Sequence, residues 1–126
     1  MMDSPAAPVS KPKTTSLSRQ SDFSRIYKQG RRHRSRLLTA VVAPAPPGQA
    51  VIRVAFVISK KVAKQAVRRN RLRRRLREAF RLQLCAQPPA VDIILIAHPE
   101  AAKADYKQLH ATLGDLMRRA GLSAVV

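Results

Sequence analysis

Ten residues constrain this chain more than any others. The run RRNRLRRRLR, Arg68 to Arg77, holds seven arginines and no acid. Leu72, Leu76, Phe80 and Leu84 recur every fourth residue, the narrow core-facing stripe of a helix over about 62–84, and arginine fills most of its other faces. Such a helix cannot stand alone. Like charges four apart (Arg69, Arg73, Arg77, Arg81) each cost an isolated helix about 0.3 kcal/mol. A merely solvated face alternates acids with bases; here eleven basic residues from Lys60 to Arg81 face one acid, Glu78. Arginine's planar fork matches phosphate oxygens two at a time, so the run reads as a polyanion-binding surface. Contact with about six to ten phosphates would cut affinity roughly 10³- to 10⁵-fold between 50 and 200 mM salt.

The rest of the composition agrees. Across 126 residues, 25 Lys and Arg oppose 7 Asp and Glu, a formal charge of +18, which needs a polyanionic partner: nucleic acid first, an acidic membrane surface second. The length suits one domain. With 4% aromatic residues and no tryptophan, its core must be aliphatic. Cys85 is the only cysteine, so no internal disulfide can form. No apolar run approaches the ~20 residues that span a bilayer, and Met1 to Ser10 lacks the apolar stretch of a signal peptide, so a cytoplasmic setting is expected.

Residues 1–16, with three prolines and no apolar period, read as a disordered basic arm, 17–121 as the domain and 122–126 as a tail. Phe23, Ile26 and Tyr27 share one face of a short helix, capped by Ser21 or Asp22 and stopped at Gly30 in the left-handed conformation. The basic stretch Arg31 to Arg36 leads into LLTAVVA. That run and VIRVAFVIS (51–59), joined across PAPPGQ, read as neighbouring antiparallel strands. Pro88 and Pro89 stop the arginine helix. VDIILIA (91–97) reads as a central strand covered on both faces. A last helix over about 101–120 puts Tyr106, Leu109, Leu113, Leu116 and Met117 on one face, with Gly121 as its stop. The expected class is α+β, a small sheet of about four strands with packed helices in αββαβα order.

No catalytic constellation emerges. His33, His98 and His110 lie far apart and far from Cys85, which argues for surface residues or phosphate contacts, and no zinc spacing or phosphate-cradling glycine motif exists. Asp92 is the acid expected to be partly buried, in a strand-edge or capping role. No protein-borne catalytic or metal site is therefore expected. Phe23 and Tyr27 dock their helix on the core; a ring left accessible beside Arg31 to Arg36 would be a stacking platform for single-stranded bases.

The stretch RVAFVISKKVAKQAVRRNRLRRRLREAFR, Arg53 to Arg81, resembles the signature region of the bacterial ribonuclease P protein family. Its marks are Ser59-Lys60-Lys61, then Arg69-Asn70-Arg71, then Arg73, Arg74, Arg77 and Phe80. SDFSRIYKQG (21–30) resembles the family's first helix and VDIILIA its late strand. Ala55 and Ala63 stand where many members carry glycine. The resemblance implies a ribosomal-protein S5 domain 2-like fold with a left-handed βαβ crossover, against the right-handed rule. It implies a subunit of an endoribonuclease that removes the 5′ leader of precursor tRNA. The catalytic site and its Mg²⁺ ions would sit mainly on a catalytic RNA subunit, with none bound tightly by the protein. Lys60, Lys61, Lys64, Arg68, Arg69, Asn70, Arg71, Arg73, Arg74 and Arg77 would bind that RNA. Phe23, Tyr27, Arg31, Arg36 and Leu38 would line a cleft for the leader. The expected particle is one protein monomer per RNA, with precursor tRNA as substrate and no membrane. The alternative is a non-catalytic ribosomal or chaperone-like RNA-binding protein, which explains the charge but not these motifs together. A DNA-binding module lacks helix-turn-helix spacing.

Overall fold

VDIILIA is apolar at every position but Asp92, and it occupies the place such a strand needs. A computed structural model describes residues 14–17 and 19–123. In chain order the elements are β1 (Thr14–Ser16), α1 (Gln20–Gln29), β2 (Arg31–Arg34), β3 (Leu38–Pro44), β4 (Ile52–Val57), α2 (Ala66–Gln83), β5 (Val91–Ala97), a 3-10 helix (Pro99–Lys103) and α3 (Tyr106–Arg119). They form one five-stranded sheet of order β1-β4-β5-β3-β2 with β5 at its centre.

That order corrects one expectation. β3 and β4 are not neighbours: β5 lies between them, antiparallel to β3 and parallel to β4. The most apolar strand gains burial on both edges as well as both faces. The Pro-rich loop after β3 crosses two strand spacings, about 10 Å, instead of closing a hairpin. The sheet also has five strands where about four were expected. Arg31 to Arg34 pair with β3 as one edge, where a row of charge discourages further pairing. Thr14 to Ser16 run parallel to β4 as the other, so the arm assigned to 1–16 yields its last three residues to the sheet. The remainder of that arm lies outside the described residues.

The two-residue strand period divides the core. Leu38, Ala40, Ile93 and Leu95 point to one face and pack under Leu72, Leu76 and Phe80 of α2 and Leu109, Leu113 and Leu116 of α3. Val41, Ala43, Ala55 and Ile94 point to the other and receive Ile26 of α1 and Leu17.

Helix ends differ from expectation in instructive ways. α1 starts after Arg19 with no side-chain cap, rather than at Ser21 or Asp22, because Asp22 is engaged by arginine. Gly30 has an ordinary φ of −74°, so left-handed freedom is not its purpose. A Cβ there would stand 2.5 Å from the Ile26 carbonyl oxygen and 2.6 Å from Val41 Cγ1, so glycine is required for close approach. The last helix splits: after the 3-10 turn, Asp105 and Gln108 form a reciprocal capping box that restarts the chain as α3. Gly121 is its left-handed stop at φ +76°, with Leu122 N–H donating to Met117 O at 2.8 Å. Leu122 is fully buried and its carbonyl accepts from Cys85 N–H, so the fold runs past 121. α2 begins at Ala66 rather than near 62, because the chain turns through Ser59 to Ala63 and anchors itself on buried Val62.

Candidate nucleic-acid interface

Turns of 100° per residue sort the arginines of α2 around its buried stripe. Arg68, Arg71 and Arg75 lie on the flank toward the 3-10 helix. They line a groove of about 700 Å³ with Lys64, over a floor that includes Val62, Leu72, Ala101 and Ala102. Arg69, Arg73 and Arg77 lie on the flank toward β4, where Arg77 stands over the Phe56 ring at 5.8 Å. Asn70 and Arg74 crown the helix in solvent.

Within the Arg-Asn-Arg block each residue does something different. Arg69 is half-buried and donates from Nη1 to the carbonyls of Ala63 (2.9 Å) and Lys64 (2.7 Å), tying the loop that carries exposed Lys60, Lys61 and Lys64 to the helix. Asn70 Oδ1 accepts from Arg73 Nη1 at 2.8 Å and orients that guanidinium. Arg71 opens into the groove. The first turn of α2 holds no acid and its N-cap no side-chain hydrogen bond, so the helix adds its own positive end to this field. Among the described residues the only ion pair on α2 is Arg81 with Glu78, at 2.8 Å.

The other face of the sheet carries the aromatic pair. Phe23 is half-buried and Tyr27 is 37% exposed, their ring centroids 6.5 Å apart. Arg32 covers the Tyr27 ring at 5.7 Å. Beyond α1 the sheet stays partly open at Val57 and Ile96, which are register partners. Thr39 beside them is buried, its hydroxyl meeting His98 Nε2 at 2.7 Å. His98 Nδ1 meets the Arg36 carbonyl oxygen, so this ring is held on both nitrogens.

Three residues assigned to this cleft lie elsewhere. Leu38 is fully buried under α2 and α3. Arg31 pairs with Val42, which packs toward that same helical layer. Arg36 borders a pocket with Glu100, Lys103 and Gln108. In a strand one residue's shift reverses the face, so their neighbours Arg32 and Thr39 are on the α1 side, Arg32 over Tyr27 and Thr39 paired with Ile96. Val57 and Ile96 carry no mark in the sequence that sets them apart as cleft residues. Strand alternation could have paired them, but VDIILIA is apolar on both faces and does not announce which face is open.

At the far end of α1 sits a separate cluster. Asp92 is fully buried and receives Arg53 as a fork, Nε to Oδ1 at 2.9 Å and Nη2 to Oδ2 at 2.7 Å. Arg25 of α1 donates to Oδ2 and Gln49 to Oδ1 at 3.0 Å, while Asp22 accepts from Arg53 Nη2 at 3.2 Å. Burial pushes the Asp92 carboxyl up, but the hydrogen bonds from Arg53, Gln49 and Arg25, with the Arg53 charge, hold it below its usual value. The same bonds raise Arg53. Asp92 is thus no edge or capping residue: it fastens α1 to β4 and β5. His33 is pushed down by burial and by the charges of Arg119 and Arg31.

Two further acids are engaged locally. Asp105 caps α3, and Asp115 pairs with Arg118 and Arg119. Among the described residues no three His, Cys, Asp or Glu side chains are grouped so as to hold a metal ion. No helix among them is long and apolar enough to cross a membrane.

Known proteins share this fold. The family model for Ribonuclease P matches residues 12–121. The ribonuclease P protein component of Clostridioides difficile is 32% identical over 112 residues, covering 88% of this chain and 96% of that protein. Among solved structures, the ribonuclease P protein of Staphylococcus aureus superposes with a TM-score of 0.76 at 27% identity, covering 88% of this chain and 99% of its own. That of Thermotoga maritima gives 0.71 at 26%, covering 82% and 94%. With match, order and fold in agreement from the first strand to the last helix, the chain belongs to the ribonuclease P protein family.

Proposed function

We propose that this chain holds two RNAs at once, one on each face of its sheet. As a member of its family it is the protein subunit of an endoribonuclease that processes tRNA. In this reading α2 and the loop bearing Lys60, Lys61 and Lys64 grip the catalytic RNA subunit, one protein per RNA. The cleft of Phe23, Tyr27, Val57 and Ile96, rimmed by Arg32, receives the single-stranded 5′ leader of precursor tRNA. Cleavage chemistry and the magnesium it requires are assigned to the RNA; the protein acts by positioning substrate and by lowering phosphate repulsion.

The observation that carries this reading is the placement of two unlike surfaces on opposite sides of one sheet. An acid-poor guanidinium helix suits phosphates of a folded RNA. An aromatic pair over a half-open apolar sheet suits unstacked bases. A single duplex-binding surface would need neither the separation nor the rings. The test compares two variants on two ligands. Tyr27→Ala should weaken precursor tRNA binding more than mature tRNA binding, while Arg73→Ala with Arg77→Ala should weaken RNA-subunit binding. Equal loss of precursor and mature tRNA in the Tyr27 variant would remove the cleft assignment. Cleavage of precursor tRNA by the protein alone would remove the RNA-borne chemistry.

A further inference from the structure

Spacing alone assigns Tyr106 to the core face of the last helix, yet the ring stands 36% exposed. The capping box at Asp105 makes Tyr106 the first residue of α3, so its ring sits at the end of the buried stripe rather than within it. One neighbour is His110, with centroids 5.9 Å apart. The other side is α2: Tyr106 lines a groove of about 460 Å³ with Arg74, Arg75, Arg77, Glu78 and Arg81. Both Glu78 oxygens accept from Arg81 Nη2 at 2.8 Å, so the one carboxylate there is already neutralised.

We propose that this groove binds an unpaired nucleotide of an RNA, its base stacked on Tyr106 and its phosphates held by Arg74 and Arg75. The site is centred between α2 and α3, sharing only Arg77 with the β4 flank of α2 and nothing with the α1 cleft, and it rests on the reading of the chain as an RNA binder. Charge complementarity selects a polyanion, and the exposed ring selects among polyanions. A duplex presents phosphates but no free base face, and an acidic peptide pairs with guanidinium but makes no use of a ring. Arg75 also lines the larger groove with Lys64, Arg68 and Arg71, so the strand on either side of the stacked base has a continuous basic track to follow.

The chain contains no tryptophan, so Tyr106→Trp introduces a single indole reporter into the full-length protein. A short homouridine RNA should quench it saturably, and adding Arg75→Ala should move that titration to higher RNA concentration. An equal-length RNA duplex should quench it far less, and polyglutamate or inorganic phosphate should leave it unchanged. An indole silent toward single-stranded RNA, or responding equally to duplex or polyglutamate, would overturn the site. Tyr27→Trp, read in parallel, separates the two readings. A response at 27 with silence at 106 removes this site and leaves the cleft standing, and the converse supports this site while removing the cleft.

Discussion

Two sets of arginines in this molecule behave in opposite ways. Arg25 and Arg53 converge on Asp92, a carboxylate with no exposed surface, and are themselves only 23% and 19% exposed. The arginines of α2 are mostly in solvent, and among the described residues Arg81 alone has an acidic partner. An arginine that holds a fold together is supplied with its acid, because a buried guanidinium without one is costly. Arginines from which acids are withheld destabilise their own helix slightly and leave their donors open. Structural and functional arginines are thus told apart by the carboxylates around them.

The contrast can be broken in order of effect. Asp92→Ala should cost about 3 kcal/mol, the low end for a broken buried pair because both guanidiniums keep some contact with water. A fall in Tm of roughly 10–20 °C would report it. Loss of less than a few degrees would mean that α1 is held by its apolar contacts, Ile26 and Phe23, without help from the pair. The same pair predicts an acid limit. The Asp92 carboxyl is held low in the fold, so its contribution is complete above its unfolded value of about 3.9 and disappears as pH falls through the lower folded value. Wild type should lose stability faster than Asp92→Asn over that window, by chemical denaturation at stepped pH.

On the cleft side, Tyr27→Ala should weaken precursor tRNA binding about tenfold, within the range for one base stacked on one ring, and Tyr27→Phe should restore most of it. A phenylalanine variant as weak as alanine would replace stacking by a role for the hydroxyl. On the α2 side, Arg73→Ala with Arg77→Ala should leave Tm within a few degrees of wild type while lowering the slope of log affinity against log salt by about 1.4 to 1.8. A large loss of stability there would place these arginines with Arg25 and Arg53. Smallest of all, sulfate should raise Tm a few degrees above chloride at matched ionic strength, by binding open guanidiniums in the folded state.

Much of this was legible from residues. The four-residue stripe through Leu72, Leu76 and Phe80 located α2 and its exposed flanks, and the unbroken apolarity of VDIILIA located the sheet's centre. Strand neighbours were not legible: β3 and β4 look like a hairpin in sequence, and only the need to bury both edges of β5 separates them. Face assignment was the other loss. Leu38 and Thr39 differ by one position and by the whole thickness of the sheet, and nothing local says which side α1 will cover. Tyr106 matches the helical period, but its exposure depends on the cap at Asp105 that sets where the helix begins.

The central claim is that the two faces bind different RNAs independently, and a double-mutant cycle tests it most directly. Affinity for the RNA subunit, and then of the assembled particle for precursor tRNA, would be measured for Tyr27→Ala, for Arg73→Ala with Arg77→Ala, and for all three changes together. Independence predicts RNA-subunit binding altered by the α2 changes alone, leader-dependent binding altered by Tyr27→Ala alone, and a combined variant additive within about 0.5 kcal/mol. RNA-subunit binding weakened as much by Tyr27→Ala as by the α2 changes would contradict it.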